Sequence, residues 1–232
     1  MNNKFEKILV VVAHPDDEVL GCGASIAKWT SAGLKVDILI MAEGVTSRDQ
    51  IRNVESKADE LSLLKKSSEK AGDLMGAASV KLLNFPDNRM DSIDILDVIK
   101  SIEIEIDLLK PSIVVTHHSG DLNVDHRIVN EAVVTACRPQ KGSSVKRILS
   151  FEVPSSTEWS TKPDSFFNPN WYEDVSNTLD IKLKAMKIYN SELKKWPHPR
   201  SIKGIGFLAK WRGAIIGVDA AESFILIREI NS

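Results

Sequence analysis

Cysteine is scarce in this sequence. Cys22 and Cys137 are its only two, they lie far apart, and neither belongs to a Cys-x-x-Cys pair. A disulfide framework or a cysteine-based metal knuckle is therefore not expected, and Cys22, inside an apolar helical pattern, reads as a small core residue. Charge of one sign is also missing: thirty basic side chains nearly cancel thirty-two acidic ones, for a formal net charge of -2. That balance offers no basic excess for a nucleic-acid partner and no like-charge tail. No apolar run approaches the roughly 20 residues of a membrane span. The polar segment Met1-Asn2-Asn3-Lys4-Phe5-Glu6-Lys7 leads straight into the first apolar run. No signal peptide is expected, and a cytoplasmic location is. There is no internal repeat or low-complexity tract. Gly21-Cys22-Gly23 lacks the spacing of a dinucleotide fingerprint, and small residues in helix packing explain it.

At 232 residues and 43% hydrophobic, the chain can bury a substantial core, and a single domain over 1–232 is expected. Residues 8–12, Ile-Leu-Val-Val-Val, read as a buried strand. A helix over 19–32 follows, closed by Gly33, and then a second strand over 36–41. Strand, helix and strand make a right-handed βαβ unit. Residues 48–76 form a polar helical stretch with apolar positions at Leu61, Leu64, Ala71 and Leu74. Lys65-Lys66-Ser67-Ser68 weakens its middle, leaving one helix or two open. Further strands are expected over 80–83, 113–116, 148–153 and 224–230, and helices over 93–109, 127–137, 179–189 and 201–212. Residues 154–174, rich in Ser, Thr, Pro, Asn and aromatics, are too long for a routine connection and read as a lid or active-site loop. The alternation predicts a three-layer, Rossmann-like α/β domain with a mostly parallel central sheet.

The chemistry concentrates behind two of these strands. Ala13-His14-Pro15-Asp16-Asp17-Glu18 directly follows the first, at the carboxyl edge where open α/β sheets bind ligands. Alone, it has a bland reading: Pro15 in a turn and an aspartate capping the next helix. Asp125-His126 opens a helix after the 113–116 strand and should face the same rim. His14, Asp17 and His126 would then offer two nitrogens and one oxygen to a divalent ion and leave a position open for water, as catalytic zinc sites do. Asp16, pointing away from Asp17 on the turn, would be the base beside it.

These segments resemble the PIG-L/LmbE-type superfamily of metal-dependent N-acetylglucosamine deacetylases. The likeness rests on Ala13–Glu18, Asp121-Leu122-Asn123-Val124-Asp125-His126, Phe85-Pro86-Asp87-Asn88-Arg89-Met90-Asp91, and the tail segments His198-Pro199-Arg200-Ser201, Arg212-Gly213 and Ala221-Glu222-Ser223-Phe224. It implies Zn²⁺, with Fe²⁺ or another divalent transition metal as substitutes, on His14, Asp17 and His126. It also implies Asp16 as general base and Asp125 as a carboxylate orienting a neighbouring group. The implied reaction is hydrolysis of the acetamido group of an N-acetylated amino sugar conjugate to amine and acetate. Such conjugates include a nucleotide sugar, a polysaccharide precursor or a thiol-pathway glycoside. Symmetric homo-oligomers are implied as well.

Two positions depart from the family pattern. Many relatives carry His where this chain has Asn123, which can donate to a developing oxyanion but cannot titrate. A general acid would then be His117, His118 or His198, or Asp16 returning its proton. The family's Arg-x-x-Glu matches Arg52-Asn53-Val54-Glu55 by letter, but counting back from Gly76 favours Lys66-Ser67-Ser68-Glu69, which would leave Arg48 as the substrate contact. Asn88, His117 and His198 complete the expected substrate residues, each also readable as an ordinary turn or strand-end residue. Two rival functions remain at this level. A Mg²⁺-dependent phosphoryl-transfer enzyme would leave His14 and His126 without a task. A non-catalytic sugar- or nucleotide-binding module would leave the whole set idle.

Overall fold

A computed structural model describes residues 6–161 and 166–231. Its elements are β1 (Lys7–Val12), α1 (Asp17–Ser31), β2 (Lys35–Ala42), α2 (Ala58–Met75), β3 (Ser79–Phe85), α3 (Ile95–Leu109), β4 (Ile113–His117), α4 (Val124–Ala136), β5 (Arg147–Phe151), β6 (Trp171–Asp174), α5 (Leu179–Ile188), α6 (Ile202–Ile216) and β7 (Ala221–Glu229). Among the described residues the strands form one sheet in the order β3-β2-β1-β4-β5-β7-β6. β1 to β5 pair in parallel. β7 runs antiparallel between β5 and β6, and β6 forms that edge.

β1 is apolar on both faces because both faces are covered. Ile8, Val10 and Val12 pack with Leu20 and Ile26 of α1, Leu64 and Met75 of α2, Met186 of α5 and Ile205 of α6. Leu9 and Val11 join Val98 and Ile102 of α3 and Val129 and Val133 of α4 on the other side. This is the expected three-layer α/β architecture. The chain leaves β1 toward β2 on one side and reaches β4 on the other, so the crevice at their carboxyl ends is a topological switch point.

Several boundaries differ from the sequence expectation. The 48–76 stretch is α-helical only from Ala58, after a 3-10 turn at Glu55–Lys57, and α2 then runs unbroken through Lys65–Ser68. Leu64, Ser68, Ala71 and Met75 keep one buried line through the polar patch, and Gly76 ends the helix in the left-handed conformation at φ 79°. α4 begins three residues early because Asn123 caps it. The expected lid splits into three parts. Thr157–Trp159 is a short 3-10 turn, residues 162–165 lie outside the described set, and β6 joins the sheet.

Gly21 ties the scaffold to the site. A Cβ there would lie 2.2 Å from Cδ2 of Phe151, and the Phe151 ring sits edge-on to His117 at 5.0 Å. Gly21→Ala is expected to lower stability by about 1–3 kcal/mol through overpacking, despite the better helix propensity of alanine. A urea titration reads it, and a wild-type midpoint would refute the close contact.

Candidate active site

The site is assembled by two strand ends and the turns that follow them. Beyond β1, Ala13 N donates to His117 Nε2 at 2.8 Å, which locks the end of β4 to the end of β1. The chain then turns through Asp16, whose φ of 114° is strained for a residue with a side chain. Glu18 holds that turn: its Oε2 accepts from Asp16 N at 3.1 Å and its Oε1 from the Tyr189 hydroxyl at 2.6 Å. Beyond β4, Asn123 Oδ1 accepts from Asp125 N at 2.8 Å and His126 N at 3.4 Å. That cap places Asp125 and His126 in the first turn of α4.

Asp17 Oδ2 lies 3.2 Å from both His14 Nδ1 and His126 Nε2. Ligand bonds of about 2.0–2.1 Å in a tetrahedron put neighbouring donor atoms about 3.3 Å apart, so the three atoms suit one small cation. The second nitrogen of each imidazole meets a different carboxylate. His14 Nε2 is 3.0 Å from Asp125 Oδ2, and His126 Nδ1 is 3.1 Å from Asp121 Oδ1. Such partners fix the ring orientation and tautomer of a metal-binding histidine. His14, Asp87 and Asp125 form a second group of metal-competent residues. Asp125 is already occupied there, accepting from Asn88 N at 2.7 Å and Met90 N at 3.0 Å.

Charge gives the same answer. The carboxyl groups of Asp16, Asp17, Glu18, Asp87, Asp121 and Asp125 are all buried at this end of the sheet. Among the described residues, the permanent cation paired to one of them is Arg200, with Nη1 3.3 Å from Asp16 Oδ2. A divalent ion, or protons on the imidazoles, would offset that surplus. Burial opposes a charged His14 ring, but hydrogen bonds to Asp125 and Asp17 hold its pKa well above the usual value. Burial opposes it at His126 too, where the Asp17 charge and the Asp121 contact win and raise the pKa to about 9. Asp17, despite burial, is held well below the carboxylate range by the charge of His126 and by hydrogen bonds from His126 and His14. Asp16 goes the other way: burial pushes it well above that range, with Arg200 opposing.

A cavity of about 220 Å³ opens over these groups, lined by His14, Asp16, Asp17, Asp87, Asn123 and His126 together with Arg48, Asn88, Ser155, Ser156, Glu192 and Arg200. Arg48 is at its rim, paired with Glu192 at 2.6 Å. Of the two other candidates for that contact, Arg52 is held by Glu43 through two bonds of 2.7 and 2.8 Å, and Lys66 is exposed on α2. Asn123 Nδ2 donates to Asn88 Oδ1 at 2.7 Å. His117, expected at the substrate, is instead fully buried and stacked on His126 at 3.9 Å. Its Nε2 is taken by Ala13, and burial and the neighbouring His126 hold it neutral. His198 does not line the cavity either: its Nδ1 accepts from Arg200 N at 3.1 Å and its ring meets Trp159. The sequence reasoning did not assign Arg200, Glu192 or Asp121 to the site. Asp121 is held by the Ser156 and Thr157 hydroxyls, so the start of the expected lid is a fixed wall of the cavity.

The rim and the donor set suit a hydrolase centre built around a divalent ion. Residues 9–137 match the PIG-L family, described as GlcNAc-PI de-N-acetylase, and the chain belongs to that family. It is 32% identical over 199 residues to the uncharacterized deacetylase YaiS of Escherichia coli (strain K12), covering 82% of this chain and 93% of that protein. It is 26% identical to the diacetylchitobiose deacetylase of Thermococcus kodakarensis, covering 82% and 71%. The fold alone is shared more widely. The 4-carboxy-2-hydroxymuconate hydratase GalB of Pseudomonas putida KT2440 superposes with a TM-score of 0.75 at 18% identity, covering 98% of each chain. The scaffold by itself therefore does not select the reaction.

Glu18 gives a pH test of this buried cluster. Burial raises its pKa from the ordinary 4.5 to about 7, with the Tyr189 hydroxyl pulling the other way. Between those values the folded protein keeps a proton that the unfolded chain has released. Stability is therefore full below the unfolded pKa and is lost as pH rises through about 7. With the titration removed by Glu18→Gln, the stability of the metal-free variant relative to wild type should rise by about 3 kcal/mol as the pH goes from about 4 to about 8. Denaturant titrations across that range read the difference, and parallel pH slopes for the two proteins would rule it out.

Proposed function

We propose that this protein hydrolyses the acetamido group of an N-acetylated amino sugar conjugate, using a divalent transition ion, Zn²⁺ or Fe²⁺, held by His14, Asp17 and His126. The observation that carries the reading is the pair of 3.2 Å separations that join Asp17 to both imidazoles beside the buried carboxyl of Asp16. Bound there, the ion supplies Lewis acidity toward the amide carbonyl and the attacking water. Asp125 and Asp121 keep the two imidazoles turned toward it.

Asp16 takes the proton of the water. Its raised pKa makes it a stronger base than an exposed aspartate, and Arg200 keeps it from staying protonated. As water adds to the carbonyl carbon, charge develops on the oxygen, and the second N–H of the Asn123 amide is available to meet it. The carbon–nitrogen bond then breaks, and Asp16 returns its proton to the departing amine, leaving acetate. His117, enclosed and neutral, and His198, engaged with Arg200, are poorly placed for that last step. The cavity is smaller than the roughly 300–1,000 Å³ that encloses a drug-sized ligand. It suits the acetamido sugar, with the rest of the conjugate outside against Arg48 and Glu192. Magnesium phosphoryl transfer is not favoured, since two of the three donors are nitrogens.

Two substitutions separate base from ligand. Asp16→Asn should lower kcat by about 10²–10⁴-fold while metal content stays at the wild-type level. His126→Ala should lose the metal along with activity. Amine release from N-acetylated nucleotide sugars and thiol-pathway glycosides, with elemental analysis of the purified proteins, reads both. Full turnover in either variant would overturn the role assigned.

Asn123 is separable too. Asn123→Asp retains the cap of α4 but removes the amide donor. It should reduce kcat by about 10–10³-fold with KM nearly unchanged. An unchanged kcat would remove Asn123 from the reaction.

A further inference from the structure

Helix α6 carries apolar side chains on its outer face as well as on the inner one. Inward it presents Ile205, Ala209 and Gly213, and a Cβ on Gly213 would fall 2.7 Å from Ala220 N, so the backbones touch. Outward, at four-residue spacing, come Phe207, Trp211 and Ile215, which are 49%, 64% and 48% exposed. Trp196, 51% exposed, extends this face, its ring edge-on to Phe207 at 5.4 Å. Lys203 Nζ stands 5.1 Å from the Trp196 ring and 5.5 Å from that of Phe207. Clustered exposed apolar groups mark contact surfaces.

The formal charges of this stretch are of one sign. From residue 193 to 218 there is no Asp or Glu, while Lys194, Lys195, Arg200, Lys203, Lys210 and Arg212 all fall within it. Arg200 and Arg212 are committed to Asp16 and Glu152. The four lysines are exposed, and none has an ion-pair partner among the described residues. The near-neutral total for the chain conceals this one-signed face.

We propose that the Trp196–α6 face docks peripherally on an anionic lipid bilayer. The aromatic and aliphatic side chains would enter the headgroup boundary, and the lysines would meet the anionic headgroups. A second copy of the chain fits less well, because a twofold contact would oppose lysines to lysines. Among the described residues no helix is long and apolar enough to cross a membrane, so the contact stays at the surface. α6 starts at its cap, Ser201, next to Arg200 in the cavity wall. Docking would therefore hold the cavity close to the bilayer. The proposal is independent of the reaction.

Vesicle flotation with the full chain tests it. The protein should float with phosphatidylcholine vesicles carrying about 30 mol% phosphatidylglycerol, stay behind with phosphatidylcholine alone, and be released at about 0.5 M salt. Phe207→Ser with Trp211→Ser should lower the partition coefficient about tenfold or more. Lys203→Glu with Lys210→Glu should do the same. Circular dichroism confirms folding, and should the serine pair fail to fold, the charge pair decides alone. No flotation, equal flotation with both lipids, or flotation that neither pair weakens would overturn the proposal. So would self-association by light scattering that the serine pair abolishes, without vesicle binding.

Discussion

One carboxylate oxygen is the point on which the rest of the site converges. Oδ2 of Asp17 lies within 3.5 Å of ring nitrogens from His14, His117 and His126, and its residue is only 2% exposed. A charge so deeply buried is tolerated only where opposite charge or donors face it. The donors, His14 and His126, come from the ends of two strands, so β1 and β4 must be neighbours, in parallel and in register. The hydrogen bond from Ala13 N to His117 Nε2 enforces that alignment where it matters most. A shift of one residue in β4 would turn His117 to the opposite face of the sheet and remove the support beneath His126.

Around this point the negative groups are divided by environment. Asp17 and Asp121 stay ionised beside imidazoles, whereas burial pushes Asp16 and Glu18 toward their protonated forms. Carboxyl groups a few residues apart thus acquire opposite tendencies, which allows one to bind and another to exchange a proton. Arg200 regulates the division. Its guanidinium reaches Asp16 from the far end of the chain, and Ser155 Oγ accepts from its Nε at 3.1 Å.

Much of this was legible in the sequence, for a local reason. His14, Asp16 and Asp17 follow an unmistakable buried strand, and Asp125 and His126 follow another, so the parallel architecture brings them to one rim. Asn123 carried a further signal as a helix cap, and reading it would have started α4 correctly. The remainder depends on contacts that no periodicity encodes. Arg200 meets Asp16 across 184 positions, and Ser156 meets Asp121 across 35. His117 and His118 alternate along a strand end, but which of them packs under His126 is decided by tertiary packing. Over 49–54 the pattern is helical while the chain is not. Arg52 is bound to Glu43, which holds that stretch off the helix axis.

The family match ends at residue 137, so the pocket wall built from Ser155, Ser156, Glu192 and Arg200 lies outside it. Asp125 adds a complementary freedom inside it. That side chain grips the loop after β3 through the main-chain amides of residues 88 and 90, so the loop's path is held without reference to which side chains it carries. Substitutions along it can thus reshape the pocket rim without moving the imidazole that shares the same carboxylate. An enzyme built this way can drift from one sugar to another while its reaction centre stays as it was.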